Sequence, residues 1–426
     1  MWLRLLSLLL ACLLLSGCGL YNRVYSSSVP FTGSGSGLRA DDSRDILNAT
    51  MLRGAVLDLI SAHVEHATFR FSNYSGSPEA DLQQVCQDFL TAHPLGAWAL
   101  ASIDVSFSHV VSYDVADLHL SFLKNPDELA SVVFLSTEDE LRDVLRERLE
   151  GYAAGAALRI DGAGVDEARI LALLKELYYA DPVGIAAEPI CTVLGYPAEG
   201  ADRIYELSID YGDSLASLRQ MTSVLRRRVP QLCGELGGEA PAGQALAAAR
   251  LVAATLSEDG DALASTAYGS LVLSEANDKG AALAYVALCD GLGIACQVVE
   301  GHSNGAEERA HWWNLVCLDG QWYHVDVTRL DSDPRQAFLA TDAMLRGRYS
   351  WDAGDYPACF GALRYSDAAA LLGSGGGTLE TTTILELPVP GAPAPSRSVS
   401  GSEYASAPDA VWSIPVSGSD LVEAGN

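Results

Sequence analysis

Three residues have the side-chain types that acyl-transfer chemistry uses: His311, Asp326 and Asp278. Residues 311–328 read HWWNLVCLDGQWYHVDVT, two apolar-rich runs joined by Asp319-Gly320, a strong hairpin signal. With those two residues as the whole loop, Leu318 faces Gln321, His311 faces Thr328 and Asp326 faces Trp313. Side chains alternate in direction along a strand, so His311 and Asp326 share one face as diagonal neighbours within reach. A carboxylate that holds an imidazole in this way orients a general base.

A base needs a nucleophile, and helix starts are where thiolates are stabilised by the helix dipole. The run SEANDKGAALAYVALCDGLGI predicts a buried helix that begins at Asp278 and ends at Gly291 or Gly293. A carboxylate in the first turn reads most simply as a cap, because its oxygen accepts a bond from an orphan backbone N–H. As a nucleophile it is poor: attack on an amide would give a mixed anhydride, and the same field that stabilises a thiolate makes a carboxylate less reactive.

The order of these pieces resembles the bacterial transglutaminase-like superfamily. The pieces are an apolar helix, a Gly-Ile strand entry, a strand opened by His and a DGQWYHVDVT strand. The likeness runs over roughly residues 250–360, from TAYGSLV to YSWDAGDYPAC. It implies a papain-like fold with a Cys-His-Asp triad, in which His311 is the general base and Asp326 the residue that orients it. In the family the helix opens with a Val-Cys-x-Gly-Tyr-Ala-like run. Here the matching residues are Asn277, Asp278, Lys279, Gly280, Ala281 and Ala282, so Asp278 stands at the nucleophile position.

Spacing rules out two of the thiols that could take its place. Cys289 lies eleven residues along the same helix, about 16 Å away at 1.5 Å per residue. Cys317 is six residues along the strand from His311, about 20 Å away. Spacing does not exclude Cys296 and Cys359, whose settings read as structural. His324 shares the hairpin face of His311, but no third ligand stands at useful spacing, so it reads as a polar strand residue and no metal or cofactor is expected. His302 is expected in an exposed loop, GHSNGAEER. Trp312 and Trp313, with Trp322, are expected to line the core and the cleft, where an aromatic can hold a peptide.

The elements that carry this constellation occupy the latter half of the chain. A helix over Leu215 to Val229 leads into it, with Arg226 to Arg228 at its C-terminal dipole. Upstream, ATFRF at Ala67 recurs as AALRI at Ala156, HPLG at His93 as DPVG at Asp181, and LHLSF at Leu118 as YELSI at Tyr205. The near-constant offset is that of a repeated supersecondary unit of helix, strand, helix and strand pair. It predicts a duplicated scaffold over 41–215, in copies of about 45–130 and 135–215. The fold class expected is α+β, with this duplicated α/β region followed by a transglutaminase-like domain over 216–372. A low-complexity, mostly disordered tail covers 373–426, with one strand conceivable in TTTILEL.

The first residues, MWLRLLSLLLACLLLSGCGLYNR, hold an apolar run too short to span a bilayer. They read as a signal peptide over 1–17. Leu15-Ser16-Gly17-Cys18 resembles a lipoprotein lipobox, which implies lipidation of Cys18, a flexible tether over 18–40 and a body held at the extracytoplasmic face of a membrane. The chain has 27 basic and 55 acidic residues, a net charge of −28, which repels phosphate backbones, so nucleic acid is excluded as a partner. Seven cysteines lie beyond Cys12 and Cys18, with no C-x-x-C pair. Their settings argue for buried free thiols, while an exported protein can also hold disulfides.

Together these observations predict a membrane-anchored pseudoenzyme that binds a protein or peptide, cell-wall peptide included, without cleaving it. The rival is an active thiol hydrolase or acyltransferase that uses another cysteine. A further alternative pairs Asp278 and His311 as acid and base.

Overall fold

The computed structural model describes residues 43–160, 164–236, 240–257, 261–305, 308–374 and residue 385. The expected signal peptide, Cys18, the tether and the tail beyond Ser374, apart from Leu385, lie outside the described residues. The chain divides into two compact units. One comprises Met1–Ser136, Ala157–Gly164 and Leu194–Glu206; the other comprises Thr137–Ala156, Val165–Val193 and Leu207–Asn426.

The first elements are β1 (Arg44–Asp45), α1 (Ala49–Ser61), β2 (His66–Phe71), α2 (Pro78–Thr91), β3 (Leu100–Val110) and β4 (Tyr113–Phe122), in a sheet of order β1-β2-β4-β3. The Asn48 side chain starts α1 by accepting from Met51 N–H at 2.9 Å, and Leu52, Val56, Leu59 and Ile60 form its buried stripe. Ile103, Val105 and Phe107 alternate inward along β3 and complete the core with Phe69 and Phe89.

The next elements are β5 (Val133–Leu135), α3 (Glu138–Glu150), β6 (Gly155–Ile160), α4 (Glu167–Ala180), β7 (Ile190–Tyr196) and β8 (Arg203–Asp210). Their sheet has the order β5-β6-β8-β7. ATFRF falls in β2 and AALRI in β6; LHLSF falls in β4 and YELSI in β8. The third echo differs, since Pro94–Ala99 is a short helix while Pro182–Gly184 is a turn.

The second unit continues with α5 (Leu215–Glu235), α6 (Pro241–Ala253), α7 (Asp278–Gly291), β9 (Cys296–Asn304), β10 (Glu308–Leu318), β11 (Gln321–Val325), β12 (Phe338–Ala340), β13 (Tyr349–Ser350) and α8 (Tyr365–Ser374). Its sheet has the order β12-β11-β10-β9-β13. This is the mixed α+β architecture that the sequence predicts.

One helix end differs from expectation. Helix α5 does not stop at Val229 but passes through Pro230 to Glu235, so the arginine run lies inside it rather than at a C-terminal dipole. Arg228 is buried there, donating from Nε to the Leu271 carbonyl at 3.1 Å and from Nη2 to the Leu385 carbonyl at 2.9 Å. The bonds to carbonyl oxygens are what make burial of a guanidinium tolerable.

Helix α7 is buried from Lys279 to Cys289 and packs against β10 and against α5 and α6. Small residues at Gly280, Ala281, Ala282 and Ala284 permit the close approach. A Cβ at Gly280 would stand 2.0 Å from the Ala264 carbonyl oxygen, and Asn277 N–H donates to that same oxygen at 3.0 Å. The start of α7 is thereby fixed on the helical turn Ala262–Ser265. Among the described residues, no helix is long and apolar enough to cross a membrane.

Candidate functional site

Helix α7 begins where the sequence predicts, but its cap is Asn277, whose side chain accepts from Gly280 N–H at 2.9 Å. Asp278 is the first helical residue. Its Oδ1 accepts from Lys279 N–H at 2.9 Å, and its Oδ2 faces His311 Nδ1 at 2.9 Å. Because Asn277 satisfies the helix start, the Asp278 carboxylate has an oxygen left for the imidazole.

The hairpin has the expected register from Leu318↔Gln321 to Asn314↔Val325 and then ends. Residues 327–329 form a 3-10 turn, so His311 does not face Thr328; its opposite residue is Gly301 on β9. Asp326, just past the end of the ladder, reaches the edge of the ring, with Oδ2 at 3.3 Å from His311 Nε2. Asp326 is 1% exposed. Its Oδ1 accepts from Thr328 Oγ1 at 2.6 Å and Thr328 N–H at 3.1 Å, and its Oδ2 accepts from the Tyr349 hydroxyl at 2.5 Å.

His311 therefore has a carboxylate on each ring nitrogen. Ionised carboxylates only accept, so both nitrogens act as donors and the ring is an imidazolium. Burial alone would depress its pKa, but the bonds to Asp278 and Asp326 outweigh burial and raise it to about 9. Burial likewise pushes the Asp326 carboxyl up, and His311, Thr328 and Tyr349 together hold it below its ordinary value. The Tyr349 phenol is raised by burial and by the Asp326 charge. The His311 ring is stacked 5.7 Å from Trp313 and lies 4.9 Å from Tyr349, centroid to centroid.

The tryptophans take different places. Trp313 is fully buried in a small cluster with Val299, Leu315, Leu345 and Tyr349; it supports His311 rather than lining an open cleft. Trp312 points to the opposite face, half-buried, and donates to the Tyr179 hydroxyl at 3.0 Å with Lys279 Nζ 5.4 Å from its ring centre. His302 is exposed as expected, but on strand β9 rather than in a loop.

His324 is not an ordinary strand residue. It is 1% exposed, and its side chain lies with Asp342 and Cys359, whose ligand-type atoms all fall within 4.8 Å of one another. The fold supplies the partners that spacing hides. Trp313 Nε1–H donates to His324 Nδ1 at 3.0 Å, so the proton of the neutral ring is on Nε2, facing Asp342 Oδ1 at 2.9 Å. Both nitrogens are thus used, and burial lowers the His324 pKa against the pull of Asp342. Burial pushes the Cys359 thiol up to about 12. These three side chains are a ligand set that spacing alone does not reveal; in this structure both His324 nitrogens are engaged by protein hydrogen bonds.

All seven cysteines of the described residues are free thiols. Cys289 is buried near the far end of α7. Among the described residues, the hydrogen-bond partners of the His311 ring are the two aspartates alone.

A cavity of about 480 Å³ opens beside His311, lined also by Asn304, Thr328, Arg329, Arg348 and Tyr349. Tyr349, Thr328 and the arginines were not singled out from the sequence. Tyr349 is 23 residues beyond Asp326 and reaches it only because β13 pairs with β9 at Tyr349↔Ser303. The one signal for it is its place in the YSWDAGDYPAC segment.

The family profile described as the transglutaminase-like superfamily matches residues 231–327, from within α5 to the residue after Asp326. Among solved structures, a candidate cysteine protease from Cytophaga hutchinsonii is 14% identical over 41% of this chain and 80% of its own, with a TM-score of 0.23. A TGase structure is 12% identical over 50% of this chain and 61% of its own, with a TM-score of 0.21. Comparison with curated proteins finds no match. With Asp278, His311 and Asp326 all inside the matched span, the chain carries a transglutaminase-like domain within a mixed α+β fold.

Proposed function

We propose that the transglutaminase-like domain is catalytically inactive and binds a protein or peptide, cell-wall peptide included, at the cleft around His311. The observation that carries this reading is the pair of bonds on His311, 2.9 Å to Asp278 and 3.3 Å to Asp326. A general base needs a free ring nitrogen, whereas an imidazolium held on both sides has none to offer. Asp278, at the position the superfamily resemblance gives to the nucleophile, forms an ion pair where acyl transfer needs a thiolate. The fold of an acyl-transfer enzyme is compatible with a binding role once the nucleophile is gone.

The region 41–215 is read as a duplicated scaffold on the near-constant offset of its sequence echoes, such as ATFRF with AALRI and LHLSF with YELSI. The Leu15–Cys18 run supports anchoring of the body at the extracytoplasmic face of a membrane through a lipid on Cys18. Incorporation of a labelled fatty acid into the full chain, lost on Cys18→Ser, tests the anchor; absence of label on wild type rejects it.

The catalytic question is tested by treating the full chain with a thiol-reactive peptide probe, beside Asp278→Cys and the double variant Asp278→Cys with His311→Ala. The expected result is no labelling of wild type and His311-dependent labelling of Asp278→Cys. His311-dependent labelling of any wild-type cysteine would identify an active thiol enzyme and overturn the reading.

A further inference from the structure

The chain is strongly acidic, with 55 acidic against 27 basic residues, yet two arginines stand together on the wall of the cavity that opens at His311. Both are about two-thirds buried, with side-chain exposures of 35% for Arg329 and 33% for Arg348. They share one carboxylate. Arg329 Nη2 is 3.9 Å and Arg348 Nη1 is 3.5 Å from Asp333 Oδ2, distances too long for hydrogen bonds. Arg329 Nε and Arg348 Nη1 are shielded from solvent without a hydrogen-bond partner. The Tyr349 hydroxyl donates to Asp326 and its oxygen is also a side-chain partner of Arg329, so the unpaired nitrogen of Arg329 is Nε alone.

Buried donors without acceptors are costly in a folded chain, and each one calls for an explanation. Each guanidinium carries a planar fork of N–H donors, and such a fork suits a two-oxygen acceptor. Thr328 and Asn304 add neutral polar groups on the same wall.

We infer that this cavity holds a carboxylate of the bound peptide, taken between Arg329 and Arg348 while the adjoining part of the peptide lies against His311. The inference rests on the peptide-binding reading given above and deepens it by naming the group recognised. The carboxylate has two possible sources, the C-terminus of a peptide or an acidic side chain within one. Both offer the same planar pair of oxygens.

The test is calorimetric titration of the full chain with three probes: N-acetyl-trialanine with a free carboxylate, its C-terminal carboxamide, and N-acetyl-Ala-Glu-Ala carboxamide. At least one carboxylate probe should bind about tenfold or more tightly than the trialanine carboxamide. Which of the two does so identifies the source. Arg329→Ala and Arg348→Ala should each remove most of that preference while leaving the weaker carboxamide binding in place, which shows that the variants are folded. Asp333→Asn should act in the opposite direction, tightening carboxylate binding by releasing both arginines.

Equal affinity for the three probes would overturn the carboxylate inference and leave the peptide-binding reading standing. Failure of all three to bind would overturn the inference and count against that reading as well. A preference that survives both arginine substitutions would move the carboxylate elsewhere.

Discussion

The Asp278 carboxylate lies 2.9 Å from His311 Nδ1, on the opposite side of the ring from Asp326. Two acids on one imidazole make it a charged strut between the start of a buried helix and the end of a strand. Burial raises the strength of such a pair and also the cost of losing one member.

The strut predicts where the ring titrates. A ¹H–¹⁵N titration of the histidine side chains should give His311 a midpoint of about 9. Asp278→Asn removes one charge and one ionic acceptor, so its midpoint should move down by a unit or more, roughly. An unchanged midpoint in the variant would show that Asp278 does not hold the ring.

Stability should follow the same proton. The folded-state pKa of His311, about 9, lies above its ordinary 6.5, so the native state binds the proton more tightly than the unfolded chain does. That stabilisation is complete below pH 6.5 and is lost as pH rises through 9, by about 3 kcal/mol in all. Urea unfolding at pH 6 and pH 10, compared between wild type and His311→Gln, isolates it. Parallel losses in the two proteins would contradict the assignment.

Gly280 should tolerate no side chain. A Cβ there meets backbone, the Ala264 oxygen at 2.0 Å, so Gly280→Ala must push α7 away from the Ala262–Ser265 turn. The expected cost is about 1–3 kcal/mol, as for other overpacked sites. The same shift draws Asp278 off His311, so the titration midpoint of the ring should fall with stability. A loss of stability at constant midpoint would separate the two.

Trp313 and His324 give a test of tautomer. With the indole N–H on Nδ1, the His324 proton belongs on Nε2, and its ¹⁵N shifts should report that form. Trp313→Phe leaves Nδ1 buried without a donor, at a cost of about 1–3 kcal/mol. Zinc added to wild type should leave the unfolding temperature unchanged, since the ligand nitrogen is already protonated; a rise would identify a metal site at His324, Asp342 and Cys359.

Local pattern made much of this protein legible from sequence. The Asp319-Gly320 turn set the register of β10 and β11, and the apolar run from Asp278 to Gly291 gave α7 its bounds. Those two elements brought Asp278, His311 and Asp326 to notice, because hairpin spacing and helix starts are properties of a few consecutive residues. What failed was extrapolation of the pairing beyond the element: the ladder stops at Val325, so His311 does not face Thr328, although Asp326 reaches the ring as the hairpin parity predicts.

The rest needed tertiary structure, for a physical reason. The partners of Asp326, His324 and the cavity arginines come from strands and turns that are remote in sequence and adjacent only through sheet pairing, as Tyr349 is through β13. Parity along β10 puts Trp312 and Trp313 on opposite faces, but what each ring meets was decided by the elements laid against each side. The sequence by itself determined which groups could meet at the start of α7. Only the tertiary structure decided that His311 has an aspartate on both nitrogens, and that the open space beside it is walled by two arginines with buried donors unpaired.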